Sequence, residues 1–134
     1  VVALLDSAVV AGFLDRDDAF HTAADARVRA LAGRERLVVS VISYAELLTG
    51  AGFGHHDLSA VRGFFADLID DIHDVDQAVA ERAALLRVAS PSLKMPDALI
   101  LATADLRAVD VVITADHRWI GVLAGPRVEL LPAV

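Results

Sequence analysis

Four carboxylates stand at comparable places in a strongly apolar sequence: Asp6 after VVALL, Glu46 within SVISYAELL, Asp97 at the head of an apolar helix-like run, and Asp116 in TAD after VVIT. Three of them interrupt surroundings in which a lone charge is expensive unless it is paired, hydrogen-bonded or bound to a metal. Each also has a plain structural reading. Asp6 can cap a following helix. Asp97 after Pro96 suits a helix start, where proline is favoured and the helix dipole is positive. Glu46 can be a solvated helix residue, although Ala45, Leu47 and Leu48 give little sign of an exposed face, and Asp116–His117–Arg118 can be a turn. The functional reading rests on the conjunction of all four. Oxygen donors without cysteine, and without a spaced histidine pair, point to a hard divalent cation such as Mg²⁺ or Mn²⁺. Such a site polarises a phosphodiester, generates hydroxide from water and stabilises a leaving oxygen. Phosphoryl transfer asks for little beyond positioning and charge neutralisation.

The elements that must position these acids alternate along the chain. Val1–Leu5 reads as a buried strand, too short and too evenly aliphatic for a surface helix. A short helix over Ala8–Leu14 follows, then the polar break DRDD. The composition from Asp18 to about Ala32 is helical, with Gly33 just past the helix end. RLVVS (Arg36–Ser40) is the second strand, and ISYAELLTG a helix closed by glycines. Glu46 lies six positions after Ser40, about one and two-thirds turns along. From His56 to Asp70, Leu58, Val61, Phe64, Phe65, Leu68 and Ile69 recur at helical spacing, so that face is expected to be buried. Ile72–Val75 reads as a short strand, and Asp76 as the cap of QAVAERAALLRVA. A helix opens at Pro96–Asp97, Val111–Thr114 is a strand, a short helical segment follows Asp116, and Val128–Leu131 is the last strand. Strands alternating with helices imply an α/β fold whose parallel sheet is covered on both faces. Ligands bind such sheets at the carboxyl ends of the strands, where Asp6 and Asp116 fall.

Bulk properties bound the function classes. The 134 residues suit one domain spanning 1–134 with a real core. The formal net charge of -7 argues against a protein that coats nucleic acid nonspecifically. It leaves room for a nuclease whose clustered carboxylates are neutralised by cations. Hydrophobic residues make up 56% of the chain, a surplus that suggests a surface made for another protein. No run approaches the roughly 18 apolar residues of a membrane span, and Asp6 sits where a secretory signal would be apolar. With no cysteine, disulfides and thiolate metal sites are excluded, and a cytoplasmic location is expected.

The segments LLDSAVV, SVISYAELL, MPDALILATA and ITADHRW, in that order and spacing, resemble the four signature segments of PIN domains. More narrowly they resemble the VapC-type ribonuclease toxins of toxin–antitoxin pairs. VDQAVAERAALLR resembles the family's intervening helix, so the likeness covers nearly the whole chain, with MPDALILATA its most specific piece. The resemblance implies a three-layer α/β/α PIN-like domain with a central parallel sheet. It implies that Asp6, Glu46, Asp97 and Asp116 form an acidic quartet holding one or two Mg²⁺ or Mn²⁺ ions. Asp6 and Asp97 would be the central ligands, Glu46 a ligand or the group that positions water, and Asp116 the completion of a second position. Ser7 and Thr114 match hydroxyl positions that support the acids. The implied reaction is endonucleolytic RNA cleavage leaving 3′-hydroxyl and 5′-phosphate ends. A cognate antitoxin and a homodimer formed through Ala8–Leu14 and part of His56–Asp70 are the implied partners. Two positions depart from the pattern: Ala8 where a small polar residue is common, and Trp119 where phenylalanine is usual.

Two rival classes stand beside this one. A catalytically silent PIN fold could serve as a protein-binding module, against which the intact quartet speaks. A phosphoacceptor receiver domain needs an acidic pair by the first strand and a lysine near the last. Here Asp6 is unaccompanied, and the single lysine, Lys94, precedes the Pro96–Asp97 helix. Among other residues, His117 and Arg118 are candidates for an RNA phosphate contact. Arg27, Arg29, Arg34 and Arg36 are either a phosphate-facing patch or dispersed solvated charges. His21 and the adjacent pair His55–His56 read as surface residues, Phe64 and Phe65 as core or interface, and DLIDDIHDVD as a solvated face.

Overall fold

The computed structural model describes residues 1–133. Its strands are β1 (Val2–Leu5), β2 (Arg36–Ser40), β3 (Asp71–His73), β4 (Val111–Thr114) and β5 (Arg127–Leu130). They form one all-parallel sheet in the order β3-β2-β1-β4-β5. The helices are α1 (Ser7–Leu14), α2 (His21–Leu31), α3 (Val41–Gly52), α4 (Leu58–Leu68), α5 (Gln77–Ala89) and α6 (Met95–Leu106), with a 3-10 turn at His117–Trp119.

The period-2 alternation of strand side chains divides the core into two. Ala3 and Leu5, Leu37 and Val39, and Val111 and Ile113 face one layer, packed against α1 to α4. Leu4, Val38 and Val112 face the other, packed against α5 and α6. Burial on both faces is why these strands are continuously aliphatic rather than alternating. Phe64 and Phe65 are core residues: Phe64 meets Phe13 at 5.2 Å between ring centroids, and Phe65 meets Tyr44 edge-on at 4.7 Å.

The structure departs from the sequence reading in α2, in β3 and at one residue of α4. The second helix begins at His21, not Asp18, because Asp18, like Asp15 before it, serves a turn. The Asp15 carboxylate accepts from the Asp17 N–H, and that of Asp18 from the Phe20 N–H. The third strand lies at Asp71–His73, ahead of Ile72–Val75, and is an exposed edge. It is held by polar contacts: Asp70 accepts from the Leu37 N–H at 2.8 Å, and Asp71 pairs with Arg36. These acids of DLIDDIHDVD therefore do more than solvate a face. On α4, Val61, Phe64 and Phe65 are buried as expected, but Leu58 is exposed.

Phe64→Ala should destabilise the fold by about 3–5 kcal/mol in urea unfolding. A loss under about 1 kcal/mol would show that the α1–α4 layer is not the packed core described.

Candidate active site

β1 is the central strand, and the chain runs to β2 on one side of it and β4 on the other. The crevice outside the carboxyl ends of β1 and β4 is the topological switch point, where open α/β sheets bind ligands. Asp6 directly follows β1 there and is only 6% exposed.

Its two oxygens are held separately. The Ser7 N–H donates to Oδ1 at 2.7 Å, so Asp6 also caps α1, and the Ser7 hydroxyl lies 3.4 Å from the same oxygen. The Thr114 hydroxyl, at the end of β4, donates to Oδ2 at 2.8 Å. Thr114 Oγ1 in turn accepts from the Asp116 N–H at 3.0 Å. One hydroxyl thus uses its donor on Asp6 and a lone pair on the Asp116 backbone. Both supporting hydroxyls expected from the sequence stand beside Asp6.

The electrostatics show the other acids nearby. Burial pushes the Asp6 carboxyl up to about 6, against the pull of the Thr114 and Ser7 hydrogen bonds, and the charges of Asp97 and Glu46 push the same way. Glu46 is raised by partial desolvation, opposed by a hydrogen bond from Ser7 and reinforced by Asp97. Asp97, in the first turn of α6, is raised by desolvation and then by Asp116. The four acids sense one another around a single end of the sheet. Glu46 is nonetheless more exposed than its neighbours suggested: it and Ala45 lie on the open side of α3, and Leu47 is buried.

Asp116 differs. It caps the 3-10 turn by accepting from the Arg118 N–H at 2.9 Å, and the Arg118 guanidinium grips its carboxylate, Nη2 to Oδ2 at 2.7 Å and Nε to Oδ1 at 2.9 Å. That pairing is the main reason its carboxyl is held below the usual range. Arg118 is therefore at the site, bound to a carboxylate, and His117 is exposed beside it. Three of the four arginines around β2 are held by other acids. Arg27 is paired with Glu129, Arg29 with Asp25 and Arg36 with Asp71.

One supporting residue escaped the sequence reading. Trp119, 1% exposed, has an indole N–H without a hydrogen bond of good geometry, yet close enough to Asp97 to favour its charged form. The only signal was its departure from the phenylalanine of the resemblance.

Among the described residues, no three His, Asp or Glu side chains form a ready-made metal-holding group. The chemistry of the donor set still suits a hard cation. The donors are carboxylate oxygens whose charges are disfavoured by burial and mutual repulsion, and one of them already draws a cationic side chain.

A PIN domain family model matches residues 3–123. The chain belongs to the PIN domain family. Among solved structures, this PIN domain is similar to a toxin–antitoxin complex from Klebsiella pneumoniae, with 26% identity, a TM-score of 0.77, and 98% of this chain and 99% of the other covered. It shares its fold with VapBC2 from Rickettsia felis bound to a promoter DNA fragment, at 15% identity and a TM-score of 0.77, covering 97% and 98%. It likewise shares its fold with VapC20 from Mycobacterium tuberculosis, a sarcin–ricin loop cleaving toxin, at 17% identity and a TM-score of 0.66, covering 82% and 86%. No curated protein matches the sequence. Among the described residues, no helix of this PIN domain is long and apolar enough to cross a membrane.

The Asp6 carboxyl lies near 3.8 in the unfolded chain and near 6 in the fold. The folded state binds more protons between those values, so this group's effect on stability worsens as pH rises through the interval. Without divalent cations, the urea stability of Asp6→Asn relative to wild type should improve by about 2.4 kcal/mol between about pH 4 and about pH 7. A difference that stays flat with pH would contradict the burial of an ionising Asp6.

Proposed function

We propose that this PIN domain is a divalent-metal-dependent endoribonuclease and the toxin of a toxin–antitoxin pair, cytoplasmic and acting as one domain over residues 1–134. The carrying observation is the buried Asp6 carboxylate at the switch point, tied through Thr114 to Asp116 and electrostatically opposed by Glu46 and Asp97. Structural toxin neighbours support the reading.

Asp6 and Asp97 would hold a Mg²⁺ or Mn²⁺ ion, with Glu46 and Asp116 completing the set. When bound, the cation neutralises the carboxylates and supplies Lewis-acid stabilisation to a phosphodiester. The chain's own groups do the rest. Ser7 and Thr114 fix the two oxygens of Asp6, so its carboxylate does not rotate during the reaction. Glu46, on the open side of α3, orients the attacking water and takes up its proton. Water adds to phosphorus as its proton passes to Glu46, the bond from phosphorus to O3′ breaks, and the departing O3′ takes a proton from solvent, leaving 3′-hydroxyl and 5′-phosphate ends. Arg118 can exchange the Asp116 carboxylate for a substrate phosphate, since its planar fork suits either oxyanion, and His117 adjoins it.

The groove between α1 and α4, with Phe13, Leu14, Ala60, Phe64 and Leu68 along it and a volume of about 240 Å³, supports a partner that lays an apolar helix face there. A second copy of this chain fits this requirement, since α1 and α4 are the helices of the implied homodimer, while a cognate antitoxin segment would lie along the active-site groove.

The test uses Asp97→Asn, a half-buried position where the fold tolerates the change. Cleavage of single-stranded RNA with Mg²⁺ or Mn²⁺ should fall by a factor on the order of 10² to 10³, equivalent to several kcal/mol of lost charge stabilisation. The circular dichroism spectrum should stay that of wild type. Full activity in Asp97→Asn would remove the site assignment. An inert wild type with both cations would leave the chain a protein-binding PIN module.

A further inference from the structure

α3 ends in a turn that does not simply lead away from the site. The Gly54 N–H donates to the Ala51 carbonyl at 3.0 Å and the His55 N–H to the Gly50 carbonyl at 2.8 Å, with Gly54 at φ +82°. This paired 5→2 and 6→1 pattern is a Schellman motif, which needs a residue at ease in the left-handed region. It folds the chain back over the last turns of α3.

The fold-back lays the His56 ring on the helix backbone at Gly50. A Cβ built at Gly50 would stand 2.9 Å from Cδ2 and 3.1 Å from Nε2 of His56, so the ring lies where a side chain would otherwise be. Gly50 is four residues beyond Glu46 and therefore on the same helix face. The imidazole is thus brought to the stripe of α3 that carries the catalytic-site acid.

Together these groups line an open surface pocket of about 240 Å³, with Ala8, Ala11, Leu47 and Gly50 as apolar lining and Ser7, Glu46, His55 and His56 as polar groups. That is below the about 300–1,000 Å³ of a site for a drug-sized ligand and suits one planar heterocycle. At its outer edge His55 lies 6.0 Å, between ring centroids, from Phe53, which is 75% exposed. Phe53 contributes nothing to either core cluster.

We propose that this turn and pocket bind a nucleobase of the RNA strand next to the scissile phosphate. The inference rests on the nuclease reading above and adds a subsite to it. Phe53 and His55 offer aromatic faces for an unstacked base, and Ser7 and His56 offer hydrogen-bonding groups to its edge. Single-stranded RNA is commonly bound in this way. Continuity with Glu46 and Ser7 selects RNA over another occupant of this surface.

Steady-state cleavage of single-stranded RNA oligomers with randomised bases, in Mn²⁺, tests the proposal, with cut ends sequenced. Phe53→Ala and His56→Ala should each lower kcat/KM about tenfold, chiefly through KM, and flatten any base preference beside the cut. Gly50→Ala, which displaces His56, should act in the same direction. Circular dichroism melting confirms that each variant folds, and the exposed Phe53 serves even if a Gly50 or His56 variant does not. Wild-type KM and base preference in Phe53→Ala and a folded His56→Ala would overturn the subsite while the nuclease reading stands. A change in sedimentation of Phe53→Ala without a change in KM would assign the turn to self-association and overturn it as well. An inert wild type would take down the nuclease reading, and the subsite with it.

Discussion

The structure is organised around one costly group, a carboxylate buried at the carboxyl end of the central strand. Asp6 follows the middle strand and is only 6% exposed, so its charge is poorly solvated. Two hydrogen bonds offset part of that cost, from the Ser7 N–H and the Thr114 hydroxyl. Those bonds require β1 and β4 to be neighbours in register, as the pairing of Leu5 with Ile113 provides. The aliphatic strands, the small hydroxyl residues and the all-parallel topology thus converge on holding one acid in place. A capping role and a chemical role coexist in Asp6, since the oxygen that caps α1 leaves the second oxygen directed by Thr114.

The remaining acids turn this local cost into a regional one. Glu46 and Asp97 add negative charge around Asp6, and only Asp116 has a cationic partner in Arg118. Clustered carboxylates with raised proton affinity mark functional sites more often than structural ion pairs. A surface network built for stability would have paired each acid, as Arg27 pairs Glu129 and Arg82 pairs Asp105 elsewhere on this chain. The excess negative charge at the switch point is the feature on which the proposed cation site rests.

Much of this was legible in the sequence, for physical reasons that also explain the gaps. Buried parallel strands must be apolar on both faces, so VVALL, RLVVS and VVIT announced themselves, along with the acids and hydroxyls at their ends. The edge strand at Asp71–His73 has no apolar signal because it is held by Asp70 and Arg36 rather than by burial. Asp18 read as the start of α2 because its turn-forming hydrogen bond to the Phe20 N–H cannot be told from capping by composition. The grip of Arg118 on Asp116, two residues apart, depends on a 3-10 turn that periodicity does not reveal. His55 and His56 lie in a surface turn, as read, and only the seating of the His56 ring against Gly50 escaped, because it depends on what Gly50 lacks.

Anomalous diffraction from crystals grown with Mn²⁺ tests the central claim most directly. The account requires a manganese peak ligated by the carboxylates of Asp6 and Asp97 at the carboxyl ends of β1 and β4. A map with no peak there, and Asp6 still bonded only to Ser7 and Thr114, would contradict it.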